Sequence, residues 1–104
     1  MEQFQVRGTA KQRAGGQRDQ AITGVNASGN LEVLVERVLP DRECLVDVTT
    51  PVTGFRPIWE AVIQEFFERS SPGGLQFSIN DGGARPDVVT LRLMQSARLM
   101  EDQP

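Results

Sequence analysis

Ser28, within the stretch NASGNLEVLVE (26–36), is the side chain whose surroundings point most directly to chemistry. It stands beside Gly29 between two runs that alternate apolar and polar residues, so its hydroxyl is expected at the exposed tip of a tight turn. A modifying enzyme can seat such a hydroxyl without unfolding anything. The spacing also suits plain turn formation, because Gly29 readily takes positive φ and serine is a common turn residue. The same window offers a different atom, since Asn26-Ala27-Ser28 matches the pattern for sugar attachment to asparagine. Such sites carry sugar only in secreted chains, and MEQFQVRGTA at the N-terminus has no apolar segment of a signal peptide. The chain is therefore expected in the cytoplasm, and Asn26 is set aside.

Other catalytic constellations find little support. Histidine and tyrosine are absent, which removes the commonest general base, the commonest transition-metal ligand and any Ser-His or Cys-His nucleophile pair. Cys44 is the one cysteine, so it has no disulfide partner and no companions for a zinc site. No metal is expected. Asp47, Glu60, Glu65, Asp81 and Asp87 supply carboxylates for acid–base work, but nothing in their spacing requires it, and Glu60 and Glu65 fall on the outer face of a predicted helix. The Gly-Gly pairs at 15–16, 73–74 and 82–83 lack the Lys-Ser/Thr of a phosphate loop. The chain is not expected to be an enzyme by itself, and no catalytic residue is assigned. A net charge of −3 argues against a nucleic-acid partner, and no apolar run approaches the roughly 20 residues of a membrane span.

At 104 residues the chain is read as one domain over 1–104. Phe4-Gln5-Val6 starts a short strand, and the polar stretch 10–20 is expected to be a mobile loop. Alternation on both sides of Ser28-Gly29 predicts a β-hairpin over 21–38, with Leu31, Val33 and Val35 on its buried side. LPDRE (39–43) is a turn with Pro40 at the position its fixed φ favours, and CLVDVTT follows as a strand with Cys44, Val46 and Val48 on one side. Ile58, Trp59, Val62, Ile63, Phe66 and Phe67 form one helical stripe that Pro57 opens and Ser70-Ser71-Pro72-Gly73-Gly74 closes. Leu75, Phe77 and Ile79 alternate as a strand. VVTLRL (88–93) is a further strand, and MQSARLMEDQ ends the chain as a short helix. The expected fold is α+β, a two-layer sandwich: a mostly antiparallel sheet, one main helix packed on a face, and a short C-terminal helix.

Several pieces of this pattern carry a family resemblance. Ser28-Gly29-Asn30, the strand Leu31-Glu32-Val33-Leu34-Val35-Glu36, the turn Asp81-Gly82-Gly83-Ala84-Arg85-Pro86 and the run Val88-Val89-Thr90-Leu91-Arg92-Leu93 occur in the order, and at near the chain length, of the acyl carrier (delta) subunit of malonate decarboxylase. The chain resembles that family, and more faintly the acyl carrier (gamma) subunit of citrate lyase. Asn30 stands where the family pattern has an acidic residue. The resemblance implies that Ser28, in a turn made by Gly29, carries 2′-(5″-phosphoribosyl)-3′-dephospho-CoA through a phosphodiester. It further implies an arm whose thiol holds acetyl and malonyl as thioesters. The implied partners are an acetyl-S-carrier:malonate transferase subunit, decarboxylase subunits, and the transferase that attaches the arm. No Asp-Ser-Leu motif of the helical-bundle carriers is present. A non-enzymatic interaction module with Ser28 as a plain turn residue is the competing reading.

Overall fold

A computed structural model of the chain describes residues 2–23, 31–84 and 86–101. The elements run β1 (Glu2–Thr9), β2 (Gln20–Thr23), β3 (Leu31–Arg37), β4 (Glu43–Thr50), α1 (Arg56–Ser70), β5 (Leu75–Asp81) and α2 (Pro86–Glu101). The strands form one five-stranded sheet in the order β1-β4-β5-β3-β2. Three neighbouring pairs are antiparallel. The β4–β5 pair is parallel, because α1 carries the chain back between them and leaves β5 running the same way as β4. The expected mostly antiparallel α+β architecture is thus present.

Strand alternation decides which face the helices cover. Val6 lies opposite Val46, Val46 beside Phe77, Phe77 opposite Val35 and Val35 opposite Ala21, a single buried row across all five strands. On the other face the neighbouring row reads Gln5, Asp47, Ser78, Leu34 and the half-exposed Ile22. This is the in–out pattern of a sheet with one packed face. Helix α1 packs toward β1, α2 packs on β3 and β2, and the two helices also touch each other.

The α1 stripe is narrower than its spacing suggests. Trp59, Ile63, Phe66 and Phe67 are buried, whereas Ile58 is 45% exposed and Val62 only partly buried. Ile58 and Val62 point off the sheet and line a groove. Phe66 meets Phe77 edge-on with ring centroids 5.3 Å apart, fastening the helix to the β5 strand. Pro57 lies in the first turn as expected, and Ser71 ends the helix in a left-handed conformation with its N–H donating to Phe67 O.

Two local assignments differ from expectation. Residues 88–93 are not a strand; they belong to α2, 16 residues long, which also absorbs most of the expected short C-terminal helix. Val89, Leu93, Ala97 and Met100 are buried while Leu91 is 56% exposed, so spacings of four, four and three override the two-residue alternation of 89, 91 and 93. The second correction concerns the turn after β3. Val38 and Leu39 N–H still donate to Gly74 O, so the turn begins one residue late, with Glu43 N–H donating to Pro40 O at 3.0 Å. Pro40 is its first residue, not its second.

Stretch 10–20 is irregular up to Gln20 but tied down at several points. Ala10 N–H donates to Arg42 O and Ala14 N–H to Gly73 O. Gly73 is squeezed between two chain segments: a Cβ there would collide with the carbonyl oxygens of Asp41 and Gln12. The strongest fastening is Arg37. Its Nε–H donates to Arg18 O (3.0 Å), Nη1 to Ala14 O (2.7 Å), and Nη2 to Gly15 O (2.8 Å) and Met100 O (3.3 Å). The Met100 carbonyl sits at the C-terminal end of α2, where a cation also meets the helix dipole. Burial first, then nearby Arg13, lower the Arg37 pKa from its ordinary value. Arg37→Lys keeps the charge but loses the planar fork that spans four carbonyls. It is expected to cost about 1–3 kcal/mol, the scale of carbonyls left unpaired, in denaturant unfolding, with faster hydrogen exchange at Ala14. An unchanged midpoint would show the clamp to be idle.

Cys44 behaves as a core residue. It is 2% exposed, and burial pushes its thiol up to about 11 from 9.0. The folded chain therefore favours the neutral thiol. That contribution is complete below about 9 and is lost as the pH climbs through about 11. A thiol reagent at neutral pH is expected to label Cys44 only after denaturation; prompt labelling of the native chain would contradict the burial.

Candidate functional site

Ser28, Gly29 and Asn30, with Asn26, lie outside the described residues, and so does the tip of the expected hairpin. The residues on either side belong to paired strands. β2 pairs with β3 in the register Gln20↔Glu36, Ala21↔Val35, Ile22↔Leu34, Thr23↔Val33. Position 28 is equidistant along the chain from the paired residues Thr23 and Val33. On its far side β3 begins at Leu31, which pairs with Asp81 at the end of β5. The segment bearing Ser28 is therefore bounded by the edge strand β2 and by β3, which is paired on both sides.

Asp81 also organises what lies beside that end of the sheet. Its Oδ2 accepts from Thr50 Oγ1 at 2.8 Å, and its Oδ1 accepts from Gly83 N–H at 3.0 Å and Ala84 N–H at 2.7 Å. Thr50 Oγ1 in turn accepts from Val52 N–H at 3.2 Å. The carboxylate, 6% exposed, thus fixes both the turn leading to α2 and the segment leaving β4, an Asx-type turn that Asp-Gly-Gly favours.

Between these turns and the two helices opens a groove of about 310 Å³. Thr50 and Asp81 form its polar end. Val52, Phe55, Ile58, Trp59, Val62, Ala84 and Val89 make apolar walls. Among the described residues no lysine or arginine lines the groove. Sequence reasoning missed the groove because Ile58 and Val62 looked like sheet-facing core. Its signal was the doubled width of the α1 stripe, wider than one packed face needs.

The remaining sequence candidates are dispersed. Glu60 pairs with Arg56 at 3.2 Å and Glu65 with Arg69 at 3.4 Å, both exposed pairs one helical turn apart. Asp47 lies on the uncovered sheet face beside Ser78, and Asp87 opens α2, far along the chain from either glutamate. Among the described residues no group of three or more Cys, Asp or Glu side chains gathers as a metal site would need, and no helix is long and apolar enough to cross a membrane.

Comparison with known proteins gives these positions a context. The family model described as malonate decarboxylase delta subunit (MdcD) matches residues 18–100, which include Ser28, both strands flanking it and all the lining residues of the groove. The chain belongs to the malonate decarboxylase delta-subunit family. Among relatives of this family, the malonate decarboxylase acyl carrier protein of Bradyrhizobium diazoefficiens is 61% identical over 98 residues, covering 94% of this chain and 93% of that one. The protein of the same name from Burkholderia cepacia is 51% identical over 76 residues, 73% of this chain and 69% of that one. The counterpart from Acinetobacter calcoaceticus is 44% identical over 82 residues, with 79% and 80% covered. A chain in the crystal structure of a Pseudomonas malonate decarboxylase hetero-tetramer in complex with malonate superposes with a TM-score of 0.81. It is 34% identical, and the match covers 96% of this chain and 99% of that one.

Proposed function

We propose that this delta-subunit family member is the acyl carrier of a malonate decarboxylase, inert alone, with Ser28 as the attachment point of a phosphoribosyl-dephospho-CoA arm. The observation that carries the reading is the 61% identity, over nearly the whole of both chains, to a protein named for that role. The likeness to a chain of a malonate decarboxylase hetero-tetramer supports work within an assembly. The family match over residues 18–100 and the 61% identity favour the malonate reading over the citrate lyase alternative.

The residues fit the implied group in a simple way. Covalent attachment through a phosphodiester needs one hydroxyl on a segment that a transferase can reach. In sequence Ser28 falls between Thr23, in the edge strand β2, and Leu31, in β3, which pairs with strands on both sides. When bound, the arm would supply a terminal thiol able to carry an acyl group as a thioester to the partner subunits, which would do the acyl exchange and the decarboxylation. The chain's own work is to tether and to dock. Anchoring β2 and β3 in the sheet fixes the root of the arm, and tethering raises the effective concentration of its tip at each partner's active site. The net charge of −3 favours encounters with basic patches on the transferase and decarboxylase subunits, mainly through the association rate. In this reading the chain works in the cytoplasm, beside the enzyme that loads it.

Reconstitution tests the assignment. Carrier co-expressed with the arm-attaching transferase is expected to restore malonate-dependent CO₂ release to the purified partner subunits. Carrier made without that transferase should restore none. Equal restoration by both preparations would remove the arm from the account.

A further inference from the structure

The groove at the Asp81 end of the sheet has core residues such as Trp59 and Val89 as its floor, but its open rim has no part in tethering. Val52, Phe55 and Ile58 on its rim are 37%, 48% and 45% exposed, an apolar surface that water alone covers unfavourably. We infer that this groove shelters the acyl end of the chain's own arm in its acetyl form and turns away the malonyl form. The inference rests on the carrier reading above.

Three observations converge. The first is position. Asp81 at the polar end of the groove pairs with Leu31. Only three peptide links separate Leu31 from Ser28, so the Ser28 Cα lies within about 11 Å of the Leu31 Cα whatever the path between them. An arm that strings phosphoribosyl, nucleotide and pantetheine units in series exceeds that span and can fold back.

The second is size. A groove of about 310 Å³ lies at the small end of ligand sites, which start at roughly 300 Å³. At about 30 Å³ per water-sized group it suits a two-carbon acyl group, the thioester sulfur and the first links of pantetheine. It does not suit a whole nucleotide.

The third is charge. An acetyl thioester is neutral, and the walls offered by Val62, Ala84 and Val89 match it. Malonyl differs by one carboxylate, and among the described residues no lysine or arginine lines the groove to meet that group. The polar end already belongs to the Asp81 carboxylate, which would repel it. Burying an unpaired charge beside a like charge is strongly unfavourable. The acetyl form, which waits for the next malonate, is therefore held and shielded from water, and the malonyl form stays free to reach the decarboxylase.

Trp59 is the chain's single tryptophan and lines the groove, which makes the inference directly readable. The experiment uses the full chain carrying the arm, its intact mass checked, with ¹³C-labelled acetyl or malonyl on the thiol. The acetyl methyl is expected to show nuclear Overhauser contacts to the Trp59 ring and the Val89 methyls, with a change in Trp59 emission. The malonyl methylene is expected to show neither. Ile58→Lys, a change at a half-exposed rim position, places a cation at the mouth and is expected to give the malonyl form the contacts it lacks. An arm loaded with acetyl but showing no contact to Trp59 or Val89 overturns the inference and leaves the carrier reading standing. So do acetyl and malonyl contacts of equal strength, or a rim that becomes protected only when a partner subunit is added. A chain whose mass never includes the arm overturns both.

Discussion

Phe66→Ala is expected to lower the unfolding free energy by about 3–5 kcal/mol, the range for large-to-small changes at aromatic core positions. At about 4 °C or more per kcal/mol for a domain of this size, the thermal midpoint should fall by at least roughly 12 °C. Three features place Phe66 in that range. Its side chain is 1% exposed, so truncation leaves a cavity that water cannot usefully fill. It meets Phe77 edge-on at 5.3 Å, and Phe77 stands in the buried row that crosses all five strands. It also lies on α1 near Phe67, 6.0 Å between ring centroids, so the loss is felt by the helix and the sheet together. Ile58→Ala is the internal control. On the same helix but 45% exposed, it should cost far less, as surface changes generally do. Equal costs for the two would mean that α1 is rotated about its axis, with Ile58 turned toward the sheet.

That contrast also marks where the sequence was readable. The strands of 31–37, 43–50 and 75–81 follow from alternation of β-branched and aromatic residues with polar ones, and each pairs as a sheet with one covered face requires. The hairpin strands at 20–23 and 31–37 were legible for the same reason. The helix at 56–70 was legible because Pro57, a long apolar stripe and a Ser-Pro-Gly-Gly stop agree. The misread part was 88–101. There Val88-Val89-Thr90-Leu91 matches strand propensity, which tertiary packing overrides; burial of Val89, Leu93, Ala97 and Met100 against β3 and β2 selects the helix. Arg37 reads as an outward-facing charge at a strand end. Its role as a clamp on 14–18 and on the end of α2 depends on backbone carbonyls far away in sequence, which no local pattern reveals. The groove depends likewise on Thr50 and Asp81, 31 residues apart. The attachment serine was singled out by its place between two alternating runs, but turn chemistry alone explains such a serine equally well. The family match supplied the preference.

Ser28→Ala is expected to produce the opposite signature to Phe66→Ala: full loss of function with the fold intact. The hydroxyl is the sole atom the proposed phosphodiester requires of this chain, so alanine removes the site outright and no neighbouring group restores it. Malonate-dependent decarboxylation by the assembled complex should fall to background. The unfolding free energy should stay within about 0.5 kcal/mol of the parent chain, as expected of a turn serine whose hydroxyl serves attachment and not folding. A variant that retains activity would separate function from the hydroxyl. A variant that unfolds would make Ser28 a structural residue and favour the plain interaction module.

The most direct test of the carrier account is the intact mass of the chain isolated from cells that contain the arm-attaching transferase. The account predicts a mass above that of the bare 104 residues by one phosphoribosyl-dephospho-CoA group, mapped to the peptide containing Ser28 and missing from Ser28→Ala. A bare, unmodified mass from cells whose malonate decarboxylase is active would contradict it.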